Sequence, residues 1–134
     1  MTTALVVDDS RVVRGFISKI LESIGFVVQQ AENGVLAKAA CEKSMPEVII
    51  VDWNMPEMNG LEFVEALRAM PNGHEPKVVF CTTENDIKHI MKAIESGADE
   101  YIMKPFDRAI LETKLDQVGI LPHSVETSAL AAIG

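Results

Sequence analysis

The chain has 134 residues, enough for one domain with a full hydrophobic core and too few for two of ordinary size. Hydrophobic residues make up 48% of it and charged ones 24%, the balance of a globular protein rather than a disordered one. A formal net charge of -8 argues against nucleic acid and anionic membrane surfaces as partners, and favours a cation or a basic protein patch.

From the N-terminus, Met-Thr-Thr-Ala-Leu-Val-Val-Asp-Asp has no basic leader and meets two carboxylates at once, so no signal segment is expected. Residues 4–7 read as a first strand. Val13, Phe16, Ile17, Ile20, Leu21 and Ile24 then follow the three-and-four spacing of an amphipathic helix, closed by Gly25. A second apolar run covers residues 26–28. Asn33 stands where a helix N-cap is wanted, and Leu36, Ala39 and Ala40 mark a small-residue helix after it. Residues 48–51, all β-branched, read as a third strand.

Asn59 is the next candidate cap, ahead of a helix carrying Leu61, Val64 and Leu67 that Pro71 and Gly73 break. Residues 78–81 give a fourth strand. Asp86 would cap a helix with Ile87, Ile90, Met91 and Ile94, ending at Gly97. A weaker strand at 101–103 precedes Asp107 and a last helix with Leu111, Leu115 and Val118, which Gly119 closes. Residues 1–121 are thus read as one domain. Residues 122–134 are read as a loose tail, with a docking helix as the alternative.

Strand and helix alternate five times with short connections. Near-continuous apolar strands alternating with helices argue for an α/β fold, a five-stranded parallel sheet covered on both faces by five helices. Right-handed crossovers bring every strand C-terminus to one edge, where open α/β sheets bind ligands. No apolar run approaches the roughly 18 residues of a membrane span. Cys41 and Cys81 make no disulfide framework and read as buried free thiols, so a cytoplasmic protein is expected.

The first strand ends in Asp8-Asp9, the third in Asp52, the fourth in Thr82-Thr83 and the fifth in Lys104-Pro105. Singly, each has an ordinary explanation: Asp8 or Asp9 as a helix cap, Asp52 in a turn, Thr82 capping a loop, Lys104 on the surface. Together they place three carboxylates, a hydroxyl and an ammonium at one edge. Crowded carboxylates attract a divalent cation, and Mg2+ prefers oxygen ligands, often one or two carboxylates plus phosphate oxygens. A carboxylate can also be a nucleophile toward phosphorus, with a metal and a lysine neutralising the phosphoryl oxygens. A threonine hydroxyl can hydrogen-bond the phosphoryl group once it has arrived.

The pieces Val-Val-Asp-Asp-Ser at 6–10, Val-Asp-Trp-Asn-Met-Pro-Glu-Met-Asn-Gly at 51–60, Thr-Thr-Glu at 82–84, Gly-Ala-Asp-Glu-Tyr at 97–101 and Met-Lys-Pro-Phe at 103–106 occur in order. In these the chain resembles the receiver domains of two-component response regulators, most of all the single-domain chemotaxis regulators of the CheY type. The resemblance runs from about Ala4 to Gly119. It implies a flavodoxin-like receiver fold with strand order 2-1-3-4-5, the order known for CheY itself. It makes Asp52 the phosphoacceptor, Asp9 a direct Mg2+ ligand, Asp8 a ligand through water, and the backbone carbonyl of Asn54 a further ligand. Lys104 would contact the phosphoryl group, and Thr82 would receive it, with Thr83 beside it. Tyr101 would be the aromatic switch, and the bond before Pro105 would be cis.

The same resemblance implies a histidine kinase or phosphotransfer protein as donor, and an output protein, such as the flagellar switch, as receiver of the signal. The partner surface would be the face of the fourth helix, fifth strand and fifth helix, with Ile90, Lys92, Glu95, Tyr101 and Lys104. Asn59 stands where the family commonly has aspartate, at a mere capping position. Thr83 stands where alanine or glycine is common, and its bulk is expected to slow donor or phosphatase access. Nothing after Gly119 resembles a DNA-binding or enzymatic output domain, so output is expected to pass through a protein surface.

Other readings are a phosphorelay shuttle or a receiver outside motility. An aspartate-nucleophile phosphohydrolase is disfavoured, because Asn54 replaces the aspartate that would act as general acid. A flavodoxin-like or nucleotide-binding protein is disfavoured by the absent phosphate loop and by two acids at the first strand's end. The chain is therefore expected to be a phosphoacceptor and not a conventional enzyme.

Overall fold

A computed structural model describes residues 2–83 and 87–120, with only the backbone of Ile87. In chain order the elements are β1 (Thr3–Val7), α1 (Arg11–Ile24), β2 (Val27–Ala31), α2 (Gly34–Lys43), β3 (Val48–Asp52), α3 (Gly60–Arg68), β4 (Lys77–Thr82), α4 (Ile87–Ser96), β5 (Glu100–Met103) and α5 (Arg108–Gln117). The five strands form one parallel sheet in the order β2-β1-β3-β4-β5. This is the expected architecture.

The pleat sorts the strand residues between two cores. Leu5, Val7, Ile49, Val51, Val78 and Phe80 face a layer with Ala37, Cys41, Phe63, Val64, Leu67 and Ala93 from α2, α3 and α4. Ala4, Val6, Val48, Ile50, Val79, Cys81 and Ile102 face Ile17, Ile20, Leu21, Ile24, Leu111 and Leu115 from α1 and α5. All five residues of β3 are buried because the central strand has helices over both faces. Each fully buried aliphatic side chain contributes roughly 1.5–3 kcal/mol against solvent exposure.

Local chemistry sets the boundaries. Asn33, Asn59 and Asp107 accept the expected capping hydrogen bonds, and Asn59 completes a capping box with Glu62. Gly25, Gly97 and Gly119 have positive φ, the conformation that ends a helix with least strain in glycine. Ser10, rather than Asp8 or Asp9, caps α1, its Oγ accepting from Val13 N at 3.2 Å. That leaves both acids for other work. Asp86 and the 122–134 tail lie outside the described residues.

Four sequence expectations are corrected. The second strand is Val27–Ala31, not 26–28, because an edge strand keeps its ladder through the exposed Gln29 and Gln30 where the apolar pattern has stopped. Phe16 of α1 is 49% exposed and leaves the core to its neighbours. In α2 the buried face is Gly34, Ala37 and Cys41, with Leu36 turned outward. In α4, Met91 and Ile94 are 55% and 48% exposed, and Ala93 makes the close approach to the sheet. Periodicity located that helix, but the apolar stripe points largely away from the core.

Candidate functional site

The acidic edge is built from chain segments that leave the sheet at the same end. Asp8 follows β1, its N–H donating to Ala31 O at 3.1 Å, so the β2 ladder extends to it. Its side chain is buried, with Oδ1 accepting from Ser10 N at 2.8 Å and Oδ2 from Lys104 Nζ at 2.8 Å. Asp9 is exposed beside it. Asp52 ends β3, is only 7% exposed, and accepts from the same Lys104 Nζ through Oδ1 at 3.0 Å. Asp8, Asp9 and Asp52 each offer a carboxylate oxygen, and all three lie within 4.8 Å of one another.

Two local features fix Asp52. Trp53 N donates to Cys81 O at 3.1 Å, carrying the β3–β4 ladder one residue beyond the acid. Gly60 N then donates to Trp53 O at 3.0 Å, which seats the start of α3 directly on the strand end. A side chain at Gly60 would collide with the Asp52 carbonyl, so only glycine permits this approach.

Burial raises the Asp52 carboxyl above the usual aspartate range. The Lys104 hydrogen bond and charge oppose the rise, and the charges of Asp8 and Asp9 add to it. Burial alone would lower the Lys104 ammonium, but hydrogen bonds and charge from Asp8 and Asp52 outweigh it and hold it above the usual lysine value. One lysine cannot balance three neighbouring acids. The donors are all hard oxygens, which fits Mg2+ or a similar divalent cation rather than a softer metal. Cys81 lies opposite Asp52 in the ladder, but burial pushes its thiol strongly upward and keeps it neutral and apolar in character.

The remaining residues divide by position. Thr82 is buried at the end of β4, and its carbonyl accepts from Lys104 N at 2.8 Å, joining the two strand ends. Thr83 is exposed just beyond it, and Asn54 is exposed just beyond Trp53. The Lys104–Pro105 peptide is cis. Beside Lys104 and Thr83, Val13, Phe16, Pro105 and Phe106 line a largely apolar recess of about 390 Å³.

Tyr101 lies farther along β5, half-buried against the core shared with α2, α3 and α4. Lys114 Nζ sits 4.9 Å from its ring centroid and 3.3 Å from Glu100 Oε1. Ile90 is half-buried, and Lys92 and Glu95 are exposed. Among the described residues, no hydrogen bond or ion pair links them to the acids.

Sequence reading missed one contributor. Arg14, in the second turn of α1, donates through Nη1 to Asp8 O at 2.7 Å and through Nε to Gln30 Oε1 at 3.2 Å. Its one sequence signal was a cation among the apolar positions of α1, six residues after Asp8.

Residues 4–116 match the family model described as the response regulator receiver domain. A "Chemotaxis protein CheY homolog" of Campylobacter jejuni is 40% identical over 116 residues, covering 85% of this chain and 89% of that protein. The structure of Vibrio cholerae chemotaxis protein CheY4 superposes with a TM-score of 0.84 at 35% identity, covering 88% of this chain and 98% of that one. The receiver domain of sensor histidine kinase PA1611 from Pseudomonas aeruginosa, solved with a magnesium ion coordinated in its active-site cleft, is 25% identical with a TM-score of 0.80. That match covers 88% of this chain and 98% of the other.

Proposed function

Because the chain belongs to the response regulator receiver family, we propose that it is a phosphoacceptor whose Asp52 takes a phosphoryl group from a histidine kinase or phosphotransfer protein. The observation that carries the reading is the convergence of Asp8, Asp9 and Asp52 at the carboxyl edge of the sheet, with Lys104 paired to Asp8 and Asp52.

In this reading an Asp52 carboxylate oxygen attacks phosphorus in line with the phosphohistidine nitrogen. The new O–P bond forms as the P–N bond breaks, and the electron pair leaves with the imidazole, which solvent protonates. Lys104, which lies 3.0 Å from Asp52, would hold a phosphoryl oxygen. Asp8, Asp9, Asp52 and the Asn54 carbonyl would hold Mg2+. When bound, the ion supplies charge neutralisation to the transferring group. The apolar recess beside Lys104 would give a donor protein footing next to the acceptor.

The hydroxyl of Thr82 would then bind the acquired phosphoryl group. Movement of Thr82 would draw Tyr101 inward and alter the surface carrying Ile90, Lys92 and Glu95. Similarity to chemotaxis proteins favours motility control as the output. No helix among the described residues is long and apolar enough to cross a membrane.

Labelling with a phosphorylated histidine kinase or a small phosphodonor tests the reading. The wild type should acquire an acid-stable, base-labile label, and Asp52→Asn should not. A label that persists in Asp52→Asn would move the acceptor elsewhere.

A further inference from the structure

The three acids are not held equally. Asp8 is fixed through both carboxylate oxygens, by Ser10 N and by Lys104. Asp52 is fixed by the ladder and by Lys104. Asp9 differs: among the described residues, no hydrogen bond or ion pair holds its exposed side chain. Its backbone therefore sets the Cα–Cβ direction and with it the arc that the carboxylate can reach.

The carbonyl of Asp8 and the N–H of Asp9 belong to one rigid peptide plane. Arg14 Nη1 donates to that carbonyl at 2.7 Å, the single side-chain hydrogen bond to the backbone of either acid among the described residues. The plane that follows Asp9 is tied through Ser10 N, which donates to Asp8 Oδ1 at 2.8 Å. With the planes on both sides of Asp9 held, the direction of its Cα–Cβ bond is set. Arg14 can do this because its guanidinium has two donors in one plane, with Nε resting on Gln30 of β2 as Nη1 reaches the loop. Both of its partners are neutral, so it is not serving as half of an ion pair.

We propose that Arg14 is a positioning residue for the cation site: it orients the Asp8–Asp9 peptide so that the Asp9 carboxylate faces Asp52. This rests on reading the acidic edge as a Mg2+ site. The alternative roles give different signs. Were Arg14 only a nearby positive charge, removing it would strengthen cation binding, since a cation competes with other positive charge for the acids. Were it only a staple between α1 and β2, the Gln30 contact would matter as much as the Asp8 contact.

The experiment is magnesium titration of the full chain, followed by emission of Trp53, the only tryptophan, at constant ionic strength with sodium as control. Urea unfolding without metal is run in parallel on each variant. Arg14→Met should weaken magnesium binding about tenfold, the lower end of what lost outer-shell contacts cause. Arg14→Lys should weaken it about threefold, because an ammonium reaches one partner and not two. Gln30→Ala should stay within about twofold of wild type, since it leaves the Asp8 contact in place. Unchanged or tighter binding by Arg14→Met overturns the proposal, as does an equal loss in Gln30→Ala. If Arg14→Met does not fold, Arg14→Lys decides: weaker binding supports the assignment and wild-type affinity overturns it. A wild type that ignores magnesium overturns the metal site itself, an outcome separate from failure of Arg14 alone.

Discussion

Lys104 Nζ lies 3.0 Å from Asp52 Oδ1, a contact between the ends of two strands that are not neighbours in the sheet. The same nitrogen lies 2.8 Å from Asp8 Oδ2, so one ammonium spans the carboxyl ends of β1, β3 and β5. It is the only positive side chain among the described residues in ion-pair contact with Asp8 and Asp52.

Lys104→Met should therefore destabilise the metal-free protein, by about 3 kcal/mol, since it strands buried carboxylates without their counter-charge. Asp52→Asn should do the reverse and raise metal-free stability by about 1 kcal/mol, against the usual direction of substitutions. Asp9→Asn should give a smaller gain, because Asp9 is exposed and already screened by water. Urea denaturation of the four proteins, in chelator and then in excess magnesium, checks the order. Magnesium at about 100 times its dissociation constant should add roughly 2.7 kcal/mol to wild type and much less to either aspartate variant.

The sign of the pH dependence follows from the raised Asp52 carboxyl. Its folded value lies above its unfolded value, so between the two the native state binds more protons than the unfolded chain. Stability from this group then falls as pH rises through that window, and the loss is complete above the folded value. The advantage of Asp52→Asn over wild type should be small near pH 4 and grow to a plateau toward neutrality. An advantage that shrinks as pH rises would mean that Lys104 outweighs burial and the neighbouring acids.

Arg68 anchors the opposite end of the sheet. Its guanidinium donates to Gly97 O, Gly73 O and Pro76 O at 2.7–3.0 Å and to Asp99 Oδ2 at 3.1 Å, with 14% of its side chain exposed. Asp99 Oδ2 in turn accepts from Val78 N at 2.8 Å. Arg68→Ala should cost about 3 kcal/mol, because buried carbonyls at two turns lose a charged donor together. Arg68→Lys should recover only part of it. A loss below 1 kcal/mol in urea unfolding would show that water replaces the guanidinium freely.

Thr82 and Tyr101 supply a functional prediction. Thr82→Ala should still accept phosphate at Asp52, yet gain little affinity for an output partner on phosphorylation, because the hydroxyl is the proposed link to Tyr101. Partner capture from wild type and Thr82→Ala, each with and without phosphodonor, makes the comparison. Equal phosphorylation-dependent capture would remove Thr82 from the switch.

Much of this was legible in the chain itself. β-Branched runs, helical spacing and capping residues located all ten elements, and the strand ends alone brought Asp8, Asp9, Asp52, Thr82 and Lys104 to one edge. That worked because backbone geometry is local: a period of two or 3.6 and a cap are written in neighbouring residues. Three things were decided only by tertiary structure. Which face of α4 is buried depended on how closely Ala93 lets the helix approach the sheet, so Met91 and Ile94 remain outside. The extent of β2 depended on pairing with β1, which needs no apolar side chain at Gln29 or Gln30. The roles of Lys104 and Arg14 depended on side chains meeting partners 96 and six residues away, at distances that no pattern along the chain encodes. Residue types and strand ends determine which groups reach the edge; the folded geometry decides which group each cation holds.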